Sequence, residues 1–390
     1  MITSPSTSSE PTATDASEAP AALPSILELS RDELTSTMLE MGEKKFRANQ
    51  LWRSIYHETA ESFDQMSTLS KPFRATLKSK FSISTLTEVM SLTSADGSTS
   101  KSLFRLHDGE LIETVMMRYE TDGHRRNRKT ACISTQAGCA LGCTFCATGQ
   151  QGLRRNLTVG EIVAQVIDMQ RIAYSEDESQ VESGKRTKGE LQGVTNVVFM
   201  GMGEPLANYE NTMAAIRVLN DGQGLNIGAR HITVSTVGLI PQILQLADED
   251  LQINLAISLH APDNKTRSQT MPINQRYPVE DLIRACHKYA DKTKRRIFFE
   301  YVLLKEQNDS LEQAQKLGRL LNGLHCHVNL IPVNPTKEGP FERTDLAAAN
   351  QFQSGLKQYG IPSTLRMEKG IDINAGCGQL RERAIDILGV

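Results

Sequence analysis

Six short apolar runs, rich in β-branched residues, recur between residues 131 and 335, and segments with helical spacing separate them. The runs are ACISTQ, TNVVFMG, HITVSTVG, LAISLHA, RRIFFEYVLL and CHVNLIPVNP. Near-continuous apolar strands are typical of a parallel sheet buried on both faces, and strands that alternate with helices indicate repeated βα units. Since eight such units close a full barrel, six units predict an α/β fold built as an open, partial (β/α)6 barrel.

The segment before these runs has the spacing of helices. Ser30 and Glu33 form the signature of a capping box ahead of a helix that has Leu34 and Met38 on one side. A second helical pattern, KKFRANQLWRSIYH, interleaves aromatic residues with Lys and Arg. We therefore expect a small N-terminal helical domain, whose basic residues either remain solvated or contact RNA.

Between these regions the pattern predicts a hairpin, followed inside the barrel by a long helix. SLFRLHDGELIETVMM carries an Asp-Gly turn between two apolar runs, which is typical of a β-hairpin. Thr158 and Glu161 form a second capping box, and apolar spacing predicts a helix over residues 159–174. The polar stretch 175–193 is predicted to be an exposed loop.

The resulting division of the chain has five parts. Residues before the first helix are mostly Ser, Thr, Ala and Pro, with little to bury, and are predicted to be disordered. The predicted parts are the disordered tail (1–24), the N-terminal helical domain (25–92), a β-hairpin extension (93–124), the barrel core (125–360) and a C-terminal segment (361–390).

Composition limits the classes of function. The 390 residues carry a net charge of −3, so any nucleic-acid contact must come from local basic patches. No apolar run approaches the roughly 18 residues of a membrane helix, and the N-terminus lacks the features of a signal peptide. Seven cysteines without a secretory signal predict a reducing, cytoplasmic location, where clustered thiols bind metals or take part in catalysis.

Three of these cysteines, Cys139, Cys143 and Cys146, lie in CALGCTFC with the spacing C-x3-C-x2-C, in the loop after the first predicted barrel strand. A structural zinc site needs four ligands, so here it would borrow a distant Cys or His. An iron–sulfur cube held by three thiolates instead leaves one iron open to an outside ligand. Both interpretations remain open on spacing alone.

Polar residues follow several of the predicted strands, where chemistry gathers in barrel enzymes. The motif GMGEP follows the second strand, and the others end the third, fourth and sixth strands. Taken singly they are ordinary loop residues, but together they predict one rim of converging polar groups. The candidates are Gly203, Glu204, Ser235, Ser258, Leu259, His260 and Asn334.

The three-cysteine motif resembles the signature of radical S-adenosylmethionine (SAM) enzymes. In that superfamily a [4Fe-4S] cluster binds SAM at the open iron, and the GMGEP-like motif contacts the amino group of SAM. More specifically, CISTQAGCALGCTFCATGQQGLRRNLT, GMGEPLANY, ISLHAP, LIPVNP and NAGCGQL resemble the RlmN family. Its members methylate C2 of adenine in 23S rRNA and in tRNA. The resemblance runs from about residue 26 to near the C-terminus.

The resemblance implies roles for three further residues. Cys377 matches the thiol that one SAM methylates, and a second SAM supplies the radical that activates this methyl group for addition to C2. Glu113 matches the proton acceptor, and Cys132 matches the resolving thiol that forms a transient disulfide with Cys377. Without the resemblance, Glu113 would be interpreted as a solvent-facing strand residue and Cys132 as a small core residue. Cys286 and Cys326 match no catalytic position and are predicted to pack in the core.

The implied partners are 23S rRNA, tRNA and a flavodoxin-type electron donor, and we expect a monomer that does not bind membranes. Candidate RNA contacts are four basic stretches, any of which could simply be solvated. They are residues 124–129, Arg154 with Arg155, residues 185–188 and residues 292–296.

Two alternatives to this function remain. A sister branch of the family methylates adenine C8 with the same cluster and cysteines. A non-catalytic, metal-bound RNA-binding protein would need a fourth metal ligand and would lack the cofactor rim.

Overall fold

A computed structural model of the chain describes most of the sequence. The described residues are 23–120, 127–182, 192–334, 340–366 and 369–380. Most of the predicted tail (1–24), the last ten residues of the predicted C-terminal segment, and the basic stretches 124–126 and 185–188 lie outside them.

Three α-helices form the N-terminal region: α1 (Arg31–Glu40), α2 (Lys45–Tyr56) and α3 (Lys71–Lys80). The predicted capping box of α1 is present, because the Glu33 N–H donates to Ser30 Oγ and the Ser30 N–H donates to the Glu33 carboxylate. Leu34 and Met38 are buried as their spacing predicted. Trp52 of α2 is also buried, so the aromatic residues of this helix serve mainly as core.

Ten of the twelve strands form one sheet in the described part of the chain. The strands are β1 (Thr87–Thr93), β2 (Thr99–Arg105), β3 (Leu111–Tyr119), β4 (Arg128–Cys132), β5 (Gln136–Cys139), β6 (Gly152–Asn156), β7 (Asn196–Phe199), β8 (Ile232–Thr236), β9 (Asn254–Ser258), β10 (Ile297–Leu303), β11 (Cys326–Pro332) and β12 (Ser363–Leu365). In this sheet the order is β1-β2-β3-β4-β7-β8-β9-β10-β11-β12, while β5 and β6 pair separately.

The parallel part of the sheet confirms the predicted α/β fold. Strands β4, β7, β8, β9, β10 and β11 overlap the six apolar runs and pair in parallel in that order. A seventh short strand, β12, also pairs in parallel with β11. The sequence did not indicate β12, because three residues are too few to show a period. The described sheet is therefore open, with β1 and β12 at its edges.

The other helices follow the barrel strands, apart from the short α4 in the cysteine loop. They are α4 (Ala147–Gln150), α5 (Val159–Glu182), α6 (Tyr209–Asn220), α7 (Ile240–Leu246), α8 (Asn264–Thr270), α9 (Val279–Thr293), α10 (Leu311–Leu320) and α11 (Leu346–Lys357). Helix α5 begins at its predicted capping box, where the Glu161 N–H donates to Thr158 Oγ1 over 3.2 Å. It continues to Glu182, so the prediction of a loop from residue 175 is wrong up to that point. Residues 183–191 lie outside the described residues.

The predicted hairpin is present and has an additional strand. Strands β2 and β3 pair antiparallel around the Asp-Gly turn, and β1 pairs antiparallel with β2. Strand β3 also pairs antiparallel with β4, the first barrel strand. The hairpin is therefore an extension of the barrel sheet itself. Residues of β2, β3, β4 and β7 that oppose one another share a face of this sheet.

Glu28 fastens the N-terminal region to the barrel at the start of α5. Its carboxylate accepts a hydrogen bond from Thr158 Oγ1 (2.6 Å) and another from the N–H of Gly160 (3.1 Å). An anion at a helix N-terminus is stabilised by the unpaired N–H groups and the helix dipole. Among the described residues, no helix has the length and apolar character needed to cross a membrane.

Candidate functional site

The cysteine loop lies between β5 and α4 and is held from two sides. The Thr144 N–H donates to the carbonyl of Thr270 in α8 (3.0 Å), and the Ala147 N–H donates to the carbonyl of Gly378 (2.7 Å). Gly138 has φ of +75°, and a Cβ there would lie 2.0 Å from the Gly152 carbonyl oxygen. Only glycine therefore permits this approach of β5 to β6.

Burial dominates the electrostatics of this loop. It raises the pKa of Cys139 to about 11 and also raises the pKa of Cys143 and Cys146. Mutual repulsion among the thiolates adds to the effect at Cys139 and Cys143. Three thiols in this setting become thiolates readily only when a bound cationic centre compensates their charge.

A cavity of about 810 Å³ opens beside the loop at the carboxyl ends of the barrel strands. Six of the seven candidate rim residues line it, together with Cys146 of the loop. The six are Gly203, Glu204, Ser235, Ser258, His260 and Asn334. The seventh candidate, Leu259, is not among the lining residues, because its side chain is fully buried and its N–H donates to the Glu300 carbonyl (3.1 Å).

Glu204 joins two of the loops that form this cavity. One carboxylate oxygen accepts from the Leu206 N–H (3.0 Å) and the other from the Val237 N–H (2.9 Å), after β8. Burial raises the pKa of Glu204 to about 7, against the opposing effect of these hydrogen bonds. Gly203, with φ of +98°, brings its backbone against Gln136, which accepts a hydrogen bond from the Glu204 N–H.

His260 has a left-handed backbone, with φ of +58°. Its Nδ1 accepts a hydrogen bond from the Val302 N–H (3.0 Å), and its ring meets the Phe145 ring edge-on, with 4.9 Å between centroids. Burial, helped by the charge of Arg267, lowers the pKa of His260 to about 3. The imidazole is therefore neutral and serves to position the cysteine loop through Phe145.

Arg267 is a residue of the site that the sequence did not predict. It lies in α8, fully buried, and its guanidinium donates to backbone carbonyls of the loops after β8 and β9. The acceptors are the carbonyls of Val237, of Ser258 at the end of β9 and of Leu259 directly after it. Burial lowers its pKa to about 10, so it remains a cation. Arginine side chains are rarely buried, and no pattern in the sequence indicates that Arg267 is.

A second cavity, of about 700 Å³, adjoins the first. Its walls are largely apolar, from Val115, Met117, Val198 and other residues, and both Cys132 and Cys377 line it. Five residues line both cavities: Met200, Ile331, Asn334, Arg366 and Cys377. Cys377 therefore lies where the two cavities meet.

The two cysteines of the second cavity differ in exposure. Cys377 is exposed, whereas Cys132 is buried. Burial, followed by the proximity of Cys377, raises the pKa of Cys132 to about 12.

Glu113 lies on the same face of the sheet as this second cavity. Val115 opposes Cys132 across β3 and β4, and Glu113 is two residues from Val115, so all three side chains share a face. Glu113 is fully buried, which rules out the solvent-facing interpretation. Its Oε1 lies 3.0 Å from Nζ of Lys101, which is also buried.

Comparison with known proteins gives consistent results. The family model of the Radical SAM superfamily matches residues 133–317, and the ribosomal RNA large subunit methyltransferase N-terminal domain matches residues 25–83. A probable dual-specificity RNA methyltransferase RlmN from Staphylococcus aureus is 46% identical over 92% of this chain and 93% of its own. The chain belongs to the RlmN family. The crystal structure of a radical SAM methyltransferase from Sphaerobacter thermophilus, also 46% identical, covers 92% of this chain and 99% of its own with a TM-score of 0.85.

Membership of the RlmN family means a radical SAM RNA methyltransferase with a [4Fe-4S] cluster and SAM. The residues fit these groups. The three thiols of the loop need a compensating cationic centre, and Cys146 borders the rim cavity, which has room and polar groups for SAM. The rim also argues against the non-catalytic metal-bound RNA-binding protein, which would lack it.

The described residues do not gather three His, Cys, Asp or Glu side chains in the way that a single metal ion requires. A cube binds each cysteine at a different iron, which spreads the thiols more widely than a mononuclear site does.

Two of the basic residues predicted to contact RNA in this RlmN-family protein lie in different environments. Arg155 forms ion pairs with Asp108 of the hairpin turn and with Glu161 of α5, so it connects the hairpin to the barrel. Arg154 is exposed beside the cysteine loop. Cys286 and Cys326 lie in the hydrophobic core, as predicted.

Proposed function

We propose that this enzyme methylates C2 of adenine in 23S rRNA and in tRNA, using Cys377 as the carrier of the methyl group. The observation that carries the proposal is the position of Cys377, an exposed thiol that lines both the rim cavity and the second cavity. A carrier must meet the methyl donor on one side and the acceptor on the other.

The chemistry of the substrate explains why a carrier is needed. Adenine C2 lies between two ring nitrogens and is electron-poor, so it does not attack the methyl group of SAM directly. When bound, the cluster and SAM supply the methyl group and the radical that removes a hydrogen atom from it. The residues of the chain then have to hold the methyl carbon, move one proton and release the product.

Three side chains suit these tasks. The Cys377 thiolate accepts the methyl group from SAM and carries its carbon to C2, forming a covalent bond between protein and RNA. The Glu113 carboxylate takes the proton that leaves C2, and the one electron that the adduct radical must also lose would return to the cluster, which gives up one electron when SAM is cleaved. Cys132 then attacks the Cys377 sulfur: an S–S bond forms, the S–C bond breaks, and the released carbon is protonated to the methyl group. The disulfide is afterwards reduced by an external thiol.

The second cavity is suited to an adenine taken out of its stack. Its apolar walls can pack against the faces of a flipped base, and Cys132 and Cys377 face the same space. Extruding a base costs a few kcal/mol, and less in an unpaired loop. This favours RNA loops as substrates. We also propose that the protein acts as a cytoplasmic monomer with a flavodoxin-type electron donor.

The test is nucleoside mass spectrometry. Anaerobically reconstituted enzyme, SAM and a one-electron reductant are incubated with unmodified rRNA or tRNA, which is then digested. We expect 2-methyladenosine from the wild type and from Cys326→Ala, a matched loss of a core thiol, and none from Cys377→Ala. 8-Methyladenosine would assign the protein to the sister activity, and 2-methyladenosine from Cys377→Ala would exclude the carrier role.

A further inference from the structure

Lys101 is a buried lysine in β2 that the proposed reaction does not use. Its side chain is 2% exposed, its Nζ lies 3.0 Å from Glu113 Oε1, and it donates to the carbonyl oxygen of Asn374 over 3.1 Å. A buried ammonium group is costly unless it is paired. The Lys101 ammonium group has the Glu113 carboxylate on one side and, on the other, a backbone carbonyl of residues 370–378, here called the Cys377 segment.

The Asn374 contact is one of several that attach this segment to β2 and its turn. The Ala95 N–H donates to the Asp372 carboxylate (2.9 Å). Gly370, with φ of +67°, approaches Thr99 so closely that a Cβ there would lie 2.7 Å from Thr99 Cγ2. Of these contacts, the one from Lys101 lies nearest to Cys377 in the sequence.

The same ammonium group bears on the charge of Glu113. Lys101 opposes Val115 in the β2–β3 register and so shares the face that carries Glu113 and Cys132. A carboxylate buried on this face without a counter-charge would favour the neutral acid, which cannot accept a proton. The other titratable groups facing this region are Tyr119 of β3, Cys132 of β4, and Arg366, Lys369 and Cys377 across the cavity.

We propose that Lys101 is a positioning residue that keeps Glu113 ionised and, through Asn374, holds the Cys377 segment against β2. The inference rests on the proposed function, since it concerns the proton acceptor of that reaction. Because the same Lys101 ammonium group contacts both Glu113 and Asn374, the protonation state of Glu113 and the position of the Cys377 segment are coupled. After Glu113 has taken the C2 proton, the Asn374 carbonyl becomes the stronger partner of Lys101. The segment is then held most firmly at the stage when Cys132 must reach the Cys377 sulfur.

The first test compares pH profiles of methyl transfer for the holoenzyme and its variants. At pH 7 we expect Lys101→Met to lose at least tenfold in turnover and to recover in part as the pH rises towards about 9, because the buried Glu113 carboxyl then ionises without the ammonium group, whereas the contact with Asn374 stays lost. Lys101→Arg, which keeps the charge, should lose less and keep the wild-type profile. Methylation of Cys377, followed by mass spectrometry of its peptide, should persist in Lys101→Met, since that step does not need Glu113.

Lys129 offers a matched control in β4, which is separated from β2 by β3 in the sheet. It is also buried, ion-paired with Asp177 (2.7 Å) and bonded to the Ala173 carbonyl (2.8 Å). Lys129→Met should lower stability without displacing the pH profile. If Lys101→Met keeps the wild-type turnover and profile while Glu113→Gln is inactive, the assignment of Lys101 fails and the base assignment stands. If Glu113→Gln turns over normally, the base assignment itself fails.

The second test is hydrogen exchange of the Cys377 segment in the resting protein. Glu113→Gln keeps Lys101 but removes the anion, and the double variant with Lys101→Met removes both and leaves no unpaired buried charge. We expect residues 370–378 to exchange faster in the double variant than in Glu113→Gln. Equal exchange in the two would overturn the anchoring role, and this comparison remains valid even if Lys101→Met alone does not fold.

Discussion

Cys132 and Cys377 border one cavity but lie in opposite environments. The exposed thiol is accessible to a methyl donor, whereas burial keeps the other protonated, with a pKa of about 12. Since the thiolate is the nucleophile, Cys132 does not compete for the methyl group. It would act only once a covalent adduct lies next to it.

Replacing Cys132 should therefore stop the reaction at its last step. We expect Cys132→Ala to accumulate RNA covalently linked to protein, because no thiol is then available to attack the Cys377 sulfur. Labelled RNA on a denaturing gel would measure it, with Cys326→Ala as the control that forms little adduct. Normal turnover by Cys132→Ala, without linked RNA, would contradict the scheme.

His260 gives a prediction for stability against pH. Its pKa is about 3 in the folded protein and about 6.5 when unfolded, so the unfolded state binds the proton more strongly. Stability is therefore full above pH 6.5 and declines as the pH falls towards 3. Between pH 7 and 5.5 this residue should cost roughly 1 kcal/mol.

The comparison is with His260→Asn, which tolerates the left-handed backbone and offers an oxygen to the Val302 N–H. Urea unfolding of cluster-free protein at the two pH values should show a smaller decline for the variant. An equal decline in both proteins would show that His260 does not contribute to the pH dependence.

Residues of the site could be predicted from sequence to different degrees. Spacing alone identified Cys139, Cys143 and Cys146, and the strand ends supplied most of the cavity rim. Glu113 and Cys377 were indicated only by resemblance, because a single carboxylate or thiol has no periodic signature. Arg267 and Lys101 were missed, since the burial of a cation depends on packing between segments distant in the chain.

Among the elements, the loop after β7 depends on close contact with the loop after β4. A Cβ at Gly201 would lie 2.6 Å from the backbone carbonyl of Ile133 and 2.8 Å from the backbone nitrogen of Ser134, so the atoms that it would meet are backbone and cannot move aside as a side chain can. This contact places Gly203 and Glu204 at the rim cavity.

Gly201→Ala should therefore lower the free energy of unfolding by about 1–3 kcal/mol and weaken SAM binding. Equilibrium unfolding and SAM titration would measure these effects. Gly222→Ala is the control, because its nearest neighbour would be Asn226 Oδ1 at 3.9 Å. Wild-type stability and SAM affinity in Gly201→Ala would show that the loop adapts.

Long apolar or capped elements were predictable, and short or polar ones were not. The six barrel strands and the start of α5 follow from period and capping. Strand β1 was missed because it is an edge strand without a fully buried residue. The last turns of α5 are rich in Glu and Ser, so composition suggested a loop where the chain continues a helix.

At the scale of the whole molecule, an overall negative charge has to accommodate a polyanionic substrate. Lys44, the N-cap of helix α2, and Lys45, its first residue, are both exposed, and Phe46 beside them is 49% exposed. Trp52 and Tyr56 of the same helix are core, so an RNA contact would use only its N-terminal end.

Removing these two charges should weaken RNA binding and its dependence on salt. Each phosphate contact contributes about 0.7–0.9 to the slope of log affinity against log salt, so the Lys44→Ala, Lys45→Ala double variant should reduce the slope by up to roughly twice that. Binding measured between 50 and about 200 mM salt would test this. Lys288→Ala with Lys357→Ala, on barrel helices, should leave the slope unchanged, and equal slopes in both double variants would exclude α2.

The hairpin is continuous with the barrel sheet, and this continuity limits which parts of the site can change when members of the family methylate a different adenine carbon. Glu113 and Cys132 lie on adjacent, hydrogen-bonded strands, so backbone pairing fixes the distance between the proposed proton acceptor and the proposed resolving thiol. Cys377 lies outside the paired strands, on a segment that is attached to the sheet by side-chain contacts. Evolution from one adenine carbon to another would therefore leave β3 and β4 intact and act on the reach of the carrier segment and on how the RNA presents its base. Sister enzymes that methylate a different adenine carbon should share the paired strands β3 and β4 and differ in the segment that carries Cys377 and in their RNA contacts.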